Sequence, residues 1–207
     1  MSKESTDLLR WARLLYTISQ SGLTYCKNDY DLERYHQLEE ISAEILASNS
    51  DLSKEEVMES FSLQHGYATP KIDVRAAVFQ DDRLLLIREL ADGGWAMPGG
   101  WADIGDLPSV TVRREVLEES GFEVTVDKVI AVLDANRFAP LEFYHAYKLI
   151  FLCSLEGGNP RTNHETTGVD FFHLDDLPPL SKDRTTREMI EEAFAHHFDP
   201  GRPTAFD

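Results

Sequence analysis

Three glutamates are spaced so that they could bind a metal ion. Glu115, Glu118 and Glu119 stand at relative positions 0, 3 and 4, and residues three or four apart share one face of a helix. Three carboxylates that close together repel one another, so a cation must neutralise them. Oxygen ligands of this kind suit a hard divalent cation, Mg²⁺ or alternatively Mn²⁺. The spacing therefore predicts a divalent-metal site on a helix.

A glycine-containing loop leads into this predicted helix. Gly99 and Gly100 have no Cβ atom, so the main chain there can come close to a metal or a substrate. Arg114 stands directly before the first glutamate, and Gly121 follows the helix in the position of a left-handed C-cap. Loop, helix and cap therefore form one continuous unit.

The order of these residues resembles the Nudix box: a glycine, five residues, a glutamate, seven residues, then Arg-Glu-apolar-x-Glu-Glu-x-Gly-apolar. One position departs from the pattern, because Asp106 stands where the box has its first glutamate. The residues that match are Gly100, Arg114, Glu115, Val116, Glu118, Glu119, Gly121 and Phe122.

The resemblance implies a metal-dependent hydrolase of a nucleoside diphosphate linked to another moiety. It implies that Glu115, Glu118 and Glu119 are metal ligands, with the Gly99 carbonyl as a further ligand. Water would attack one phosphorus, and Mg²⁺ would neutralise the diphosphate and lower the pKa of that water. The products would be a nucleoside monophosphate and a phosphorylated remainder.

Arg114 has a supporting role in the box, where it pairs with the box glutamate and orients the helix carboxylates. Its partner here would be Asp106, which is one methylene shorter, so the loop must come closer or a water must bridge the gap. Asp103 is an alternative partner. Gly100, Asp106 and Gly121 are thus predicted to support the box geometry.

The general base is left open by the sequence. The resemblance points to a glutamate before the last strand, and Glu165 occupies such a place, next to His164 as a competitor. Glu118 and Glu119 are further candidates for the base. The catalytic set predicted here is Glu118, Glu119, Glu165 and Arg114.

Candidate substrate-binding residues are Arg75, Arg88 and Trp101. Arg75 could meet a substrate phosphate, the alternative being a solvated arginine on a strand. Trp95, Trp101 and Tyr144 could stack on a base or attract a choline group through cation–π contact, and packing roles are the alternative for each. The identity of the substrate does not follow from these residues.

Composition limits the partners of the protein. The 207 residues carry 20 basic and 37 acidic side chains, a net charge of −17, which opposes long nucleic acids and anionic membranes. The two cysteines lack metal-type spacing and are predicted to be reduced thiols. No apolar stretch is long enough for a membrane span or a signal core, so we expect a cytoplasmic protein that binds neither membrane nor DNA.

Residues 1–66 are predicted to form a small helical domain. Leu8, Trp11, Leu15 and Ile18 make one apolar helical stripe, and a second helix begins after Asn28. A third helix is capped by Asp51 or Ser53. So few residues cannot bury a sufficient core alone. They either cap the rest of the chain or form a homodimer. The apolar stripe of the second helix comprises Leu32, Tyr35, Leu38, Ile41 and Ile45.

Residues 67–207 alternate strands with helices, which predicts an α/β/α sandwich with a mixed sheet. Strands are expected over 72–78, 84–87, 124–133, 143–155 and 169–174, and a final helix over 184–198. Asp81-Asp82 is expected to form the turn between the first two strands. This arrangement agrees with the fold that the Nudix resemblance implies, and the helical extension is similar to the subgroup of CDP-choline or ADP-ribose pyrophosphatases. Alternative hypotheses are a non-catalytic sensor of an ADP-ribose-type ligand and a hydrolase acting on RNA 5′ ends.

Overall fold

The computed structural model describes residues 3–63, 66–138 and 145–206. The described chain forms two compact units, one up to Pro70 and one from Lys71 onward. None of the described helices is both long and apolar enough to cross a membrane.

The N-terminal unit consists of three helices: α1 (Lys3–Tyr25), α2 (Asp29–Ser48) and α3 (Lys54–Ser62). The Asn28 side chain accepts a hydrogen bond from the Tyr30 amide at the start of α2. Ser53 and Glu56 form a reciprocal capping box at the start of α3. Of the two predicted N-caps, Asp51 and Ser53, the structure has Ser53. Its hydroxyl and the Glu56 carboxylate satisfy main-chain amides that the helix leaves free.

The core of this unit differs from the apolar stripe predicted for α1. Trp11 and Ile18 are 50% and 53% exposed, whereas Leu9, Ala12 and Tyr16 are buried. The predicted helix is present, and it carries two apolar sets on different faces, of which Leu9, Ala12 and Tyr16 pack in the core. The core residues are Leu9, Ala12, Tyr16, Ala43, Leu46, Val57 and Phe61.

The other stripe of α1 faces away from this core. It contains Trp11, Leu14, Ile18 and Tyr25, each at least half exposed, and their spacing of 3, 4 and 7 residues places them on one helix face. We call these four residues the outer stripe of α1. On α2, Ile41 is also exposed although it belongs to the predicted stripe.

The second unit is built around a mixed sheet with one helix layer on each face. Its strands are β1 (Lys71–Gln80), β2 (Arg83–Glu89), β3 (Trp95–Ala96), β4 (Phe122–Asp134), β5 (Ala146–Gly158), β6 (Thr166–Phe172) and β7 (Ala205–Phe206). Its helices are α4 (Pro108–Ser120), α5 (Ala135–Phe138), α6 (Arg187–Phe198) and a 3₁₀ turn at Leu174–Asp176. Phe143 and Tyr144, at the start of the strand predicted over 143–155, lie outside the described residues.

The strand order is β3-β2-β1-β5-β4-β7, and β6 pairs with β2. The β1 and β5 strands run parallel, whereas β4 and β5 run antiparallel. One apolar cluster packs α4 on the sheet through Val112 and Val116, and another packs α6 through Ile190 and Phe194. The predicted α/β sandwich with a mixed sheet is therefore confirmed.

One predicted turn and one predicted helix cap are confirmed in the second unit. Asp81 and Asp82 both have positive φ, 49° and 55°, and they join β1 to β2 as a two-residue hairpin turn. Gly121 ends α4 with φ 78°, and a Cβ there would lie 2.4 Å from the Asn159 carbonyl oxygen. Only glycine fits this left-handed C-cap without strain.

Both cysteines are free thiols, as predicted. Cys153 lies in β5 among apolar side chains, and burial raises the pKa of its thiol to about 12. Cys26 follows the end of α1 and is half-buried.

Candidate active site

The three glutamates of α4 line one cavity, as their helical spacing predicts. Glu115, Glu118 and Glu119 border a cavity of about 610 Å³. Gly99 and Gly100 also line this cavity. Val112 and Val116 pack the helix on the sheet. The helical repeat places these valines on one face and the glutamates on another.

Glu119 is the most buried of the three glutamates, with 3% of the residue exposed. Its Oε2 accepts a hydrogen bond of 2.8 Å from the Gly99 amide, and its carbonyl accepts one from the Thr166 hydroxyl. Burial raises the pKa of Glu119 to about 7, although Arg75 and the Gly99 hydrogen bond oppose the shift. A carboxylate in this environment favours a nearby cation.

Arg114 holds the other two glutamates. Its Nη1 lies 2.9 Å from Glu115 Oε1 and 3.4 Å from Glu118 Oε2. Its Nη2 donates a hydrogen bond of 3.2 Å to Asp103, whereas Asp106 Oδ2 is 3.9 Å away. Asp103 is thus the nearer of the two loop partners, and the shorter side chain of Asp106 does not reach hydrogen-bonding distance.

The donor chemistry of the cavity fits a hard divalent cation. Three carboxylates project from consecutive turns of α4 into one space. Burial raises the pKa of Glu115, because water stabilises its negative charge poorly there. In the part of the chain that the structure describes, no three His, Cys, Asp or Glu side chains have the arrangement that would hold a metal ion. Arg114 is the cation that two of the carboxylates contact.

Close approach of the main chain requires a glycine at position 99 of the loop. Gly99 has φ 147°, and a Cβ there would lie 1.9 Å from the Val74 carbonyl oxygen. A Cβ on Gly100 would lie 3.3 Å from the Glu115 carboxyl group. The Gly100 carbonyl accepts a hydrogen bond of 2.9 Å from the Val74 amide. The loop is therefore held against β1, with its outer side open to the glutamates.

Glu165 and His164 reach the same cavity from the segment before β6. Their side chains are 61% and 86% exposed, and Nε2 of His164 lies 3.5 Å from Oε1 of Glu165. The Asn163 side chain accepts hydrogen bonds from the amides of Glu165 and Thr166, which fixes the turn. Both candidates for the general base are therefore at the cavity.

Arg75 is buried, so the alternative of a solvated arginine on a strand is wrong, and its role in substrate binding stays a prediction. It donates two hydrogen bonds to Asp73, of 2.8 and 3.0 Å, and one to the Met97 carbonyl. Lys148 on the parallel neighbour β5 lies 3.3 Å from Asp73 and is also buried. A local pattern within β1 could not reveal this cluster, because its second cation lies 75 residues away from Asp73.

Of the other two predicted substrate-binding residues, one lines the cavity and one does not. Trp101 is 44% exposed and lines the cavity. Arg88 is exposed and donates to the Gly93 carbonyl, and it is not among the residues that line the cavity. Trp95 packs edge-to-face on Phe172, which is a structural role. Tyr144 lies outside the described residues.

Two charged cavity residues were missed by the sequence analysis. Glu89, at the end of β2, is 3% exposed, and burial raises its pKa. Its Oε1 has no hydrogen-bond partner in the described part of the chain. Nε of Arg184 is 3.4 Å away, but the geometry is not that of a hydrogen bond. Both residues line the cavity. The available signal for Glu89 was its place just beyond the apolar run 84–87 of a predicted strand; Arg184 had none.

Comparison with known families gives two matches that together cover most of the chain. A model described as "NUDIX domain" matches residues 69–193. A model described as "UDP-X-like, N-terminal oligomerisation domain" matches residues 6–61.

Individual relatives agree with these matches. The Bacillus subtilis protein named "Putative ADP-ribose pyrophosphatase YjhB" is 39% identical over the full length of both chains. A crystal structure of a UDP-X diphosphatase is 35% identical with a TM-score of 0.63, covering 98% of this chain and 99% of its own. The crystal structure of an ADP-ribose pyrophosphatase from Streptococcus suis 89-1591 is 40% identical with a TM-score of 0.63, covering 67% of this chain and 100% of its own.

Proposed function

The chain belongs to the Nudix hydrolase family, and on that premise we propose that it is a Mg²⁺-dependent pyrophosphatase of a nucleoside diphosphate linked to another moiety. ADP-ribose is the leading substrate, because two relatives are named ADP-ribose pyrophosphatases, one covering the whole of the chain and one covering 67% of it. The single observation that carries the proposal is the convergence of Glu115, Glu118 and Glu119 on one cavity beside the glycine loop.

The reaction would cleave one phosphoric anhydride bond. Water attacks one phosphorus, the bond from that phosphorus to the bridging oxygen breaks, and two phosphate monoesters result. We assign Glu115, Glu118 and Glu119, with the Gly99 carbonyl, as the groups that would hold Mg²⁺. A bound divalent cation would neutralise diphosphate charge and acidify the attacking water.

The chain's own residues supply positioning and proton transfer. Arg114 orients Glu115 and Glu118 through its Nη1 contacts. Glu165 is assigned as the general base, because its carboxylate borders the cavity and is accessible to water. Trp101 offers an indole face to the nucleoside or its partner group. Arg88 is not carried into this proposal, because it lies away from the cavity.

Two domains are proposed, a helical one over 1–66 and a Nudix one over 67–207. The compact units and the matched family regions support a boundary in this part of the chain. We further propose a homodimer through the outer stripe of α1, since four large apolar side chains on one exposed helix face are expected to mark an interaction surface. The cytoplasmic location predicted from the sequence remains a prediction.

The test is product analysis with the purified full chain. ADP-ribose, CDP-choline, a UDP-linked sugar, nucleoside triphosphates and 5′-triphosphate RNA would each be incubated with and without Mg²⁺. We expect AMP and ribose 5-phosphate from ADP-ribose in the presence of Mg²⁺. Glu118→Gln and Glu119→Gln should each reduce turnover strongly, whereas Glu191→Gln, a surface glutamate of α6 paired with Arg187, should not.

Each alternative gives a different result in this experiment. Turnover without a metal, or undiminished turnover in both cavity variants, would contradict the proposal. Binding of ADP-ribose without hydrolysis would identify a ligand sensor. Preferential hydrolysis of 5′-triphosphate RNA would identify an RNA-end hydrolase.

A further inference from the structure

Arg184 lies where two cavities adjoin. The cavity with the three glutamates of α4 borders a second cavity of about 320 Å³, and both are lined by Glu89, Gly100, Trp101 and Arg184. A molecule in which a diphosphate links two moieties has its anionic group in the middle. The junction of two cavities is the place where that middle group would lie.

The cationic side chains of the site differ in how many of their donors already have protein partners. Arg114 has four carboxylates within 4 Å of its guanidinium nitrogens. Arg75 is buried and donates to Asp73 and to the Met97 carbonyl. Arg184 is 41% exposed and has one ion-pair partner among the described residues, Glu89, without a hydrogen bond. Its guanidinium therefore retains donors for an anionic ligand.

The main chain of Arg184 is held in place by the buried ammonium group of Lys148. Nζ of Lys148 donates hydrogen bonds of 2.8 Å to the Arg184 carbonyl and 3.1 Å to the Asp183 carbonyl. Lys148 is 2% exposed, and its Nζ lies 3.3 Å from Oδ2 of Asp73, a carboxylate that it shares with Arg75. The hydroxyl of Thr185 accepts a hydrogen bond from the Met97 amide, which ties the same segment to the chain just before the glycine loop.

We propose that Arg184 binds a phosphate oxygen of the substrate diphosphate and that Lys148 positions Arg184 through its main-chain carbonyl. The planar guanidinium suits phosphate, which can accept two parallel hydrogen bonds from it. Lys148 does not touch the substrate; it is a positioning residue. This inference rests on the proposed function for the identity of the substrate, but the anion site itself can be measured separately.

The first experiment compares steady-state kinetics of four forms of the full chain with ADP-ribose and Mg²⁺. Arg184→Ala should raise KM by about tenfold to a hundredfold with kcat nearly unchanged, because a charge-assisted contact present in both ground and transition states is lost. Arg184→Lys keeps the positive charge but loses the paired donors of the planar guanidinium, so it should raise KM by less than Arg184→Ala does. Arg187→Ala, an exposed arginine paired with Glu191, should match the wild type. An unchanged KM in Arg184→Ala overturns the proposal.

Calorimetric titration with inorganic pyrophosphate and Mg²⁺ measures the same contact without hydrolysis of a nucleotide. Pyrophosphate should bind Arg184→Ala about tenfold more weakly than wild type, and equal affinities would overturn the proposal. Failure of the proposed function appears differently, as a wild-type enzyme that hydrolyses no substrate of the panel. The two failures are therefore distinguishable.

A double-mutant cycle tests the positioning role of Lys148. Lys148→Met should raise KM in the wild-type background and leave it unchanged in the Arg184→Ala background, because the two residues act through one contact. An equal increase in both backgrounds overturns the positioning role. Lys148→Arg retains the buried charge and serves where the methionine variant fails to fold; the same non-additivity is expected of it. Thermal unfolding of each variant monitors folding.

Discussion

The main-chain amide of Gly99 donates a 2.8 Å hydrogen bond to Oε2 of Glu119, a residue 20 positions further along the chain. This bond joins the glycine loop to the last turn of α4. It leaves Oε1 of the same carboxylate for another partner, and it holds the charge of Glu119 in a place with little access to water. Loop geometry and carboxylate position are therefore coupled, which leads to the first two predictions.

The stability of the protein in the presence of a chelator should fall as pH rises through the titration of Glu119. Its folded pKa of about 7 lies above the ordinary value of 4.5, so between these pH values the folded state binds more protons than the unfolded state. The stabilisation is full below about pH 4.5 and is lost as pH approaches 7.

In urea unfolding with EDTA at about pH 8, Glu119→Gln should be more stable than wild type by about 1–3 kcal/mol. The difference should vanish near pH 4.5. A difference independent of pH, or one equally large for the more exposed Glu118→Gln, would contradict this.

Replacing Gly99 should destabilise the fold. In Gly99→Ala the new Cβ meets the Val74 carbonyl oxygen at 1.9 Å, and φ of 147° is unfavourable for any other residue. Strain and overlap together should cost about 2–5 kcal/mol in urea unfolding. Gly157→Ala is the matched control, since a Cβ there meets no heavy atom within 4 Å. A Gly99→Ala variant as stable as that control would show that the loop can move away from β1.

Asp103 should matter more than Asp106 for catalysis. Arg114 donates a hydrogen bond to Asp103 at 3.2 Å but lies 3.9 Å from Asp106. Because Asp103 is largely exposed, Asp103→Asn should lower kcat/KM for ADP-ribose by about twofold to fivefold. Asp106→Asn should lower it by less than about twofold. The opposite order would mean that Asp106 moves to Arg114 when substrate binds.

Charges on the outer stripe of α1 should separate the proposed homodimer. The double substitution Trp11→Glu and Ile18→Glu places two carboxylates on an apolar contact surface, where burial of unpaired charge costs several kcal/mol. Light scattering after size exclusion should show a mass near the 23.5 kDa of one chain, and near twice that for the wild type. Gln37→Glu, on an exposed position of α2, is the control and should stay dimeric. A monomeric wild type would refute the dimer.

Local chemistry explains which parts of the structure followed from the sequence. The Gly121 cap, the Asp81-Asp82 turn and the Ser53 cap each depend on residues a few positions apart, and each is confirmed. The convergence of the α4 glutamates depends on helical spacing alone. These features needed no knowledge of the remaining chain.

Features that depend on distant segments did not follow from the sequence. Arg75 is buried beside Asp73, and the carboxylate of Asp73 also pairs with Lys148 of the neighbouring parallel strand. Arg184 reaches the cavity because Lys148 and Thr185 hold its segment in place. The two-residue strands β3 and β7 are too short to show any periodicity. The face of α1 that becomes buried was set by α2 and α3 and not by the helix itself.

The environments of the two cysteines make the unmodified chain suitable for site-specific labelling. A thiol reagent reacts with the thiolate, and the Cys153 thiol with its pKa of about 12 and its apolar surroundings supplies almost none at neutral pH. Cys26 is only half-buried and lies one residue beyond Tyr25 of the outer stripe. A spin label on the natural Cys26 would therefore give the distance between α1 helices of two associated chains, without any cysteine having to be added or removed.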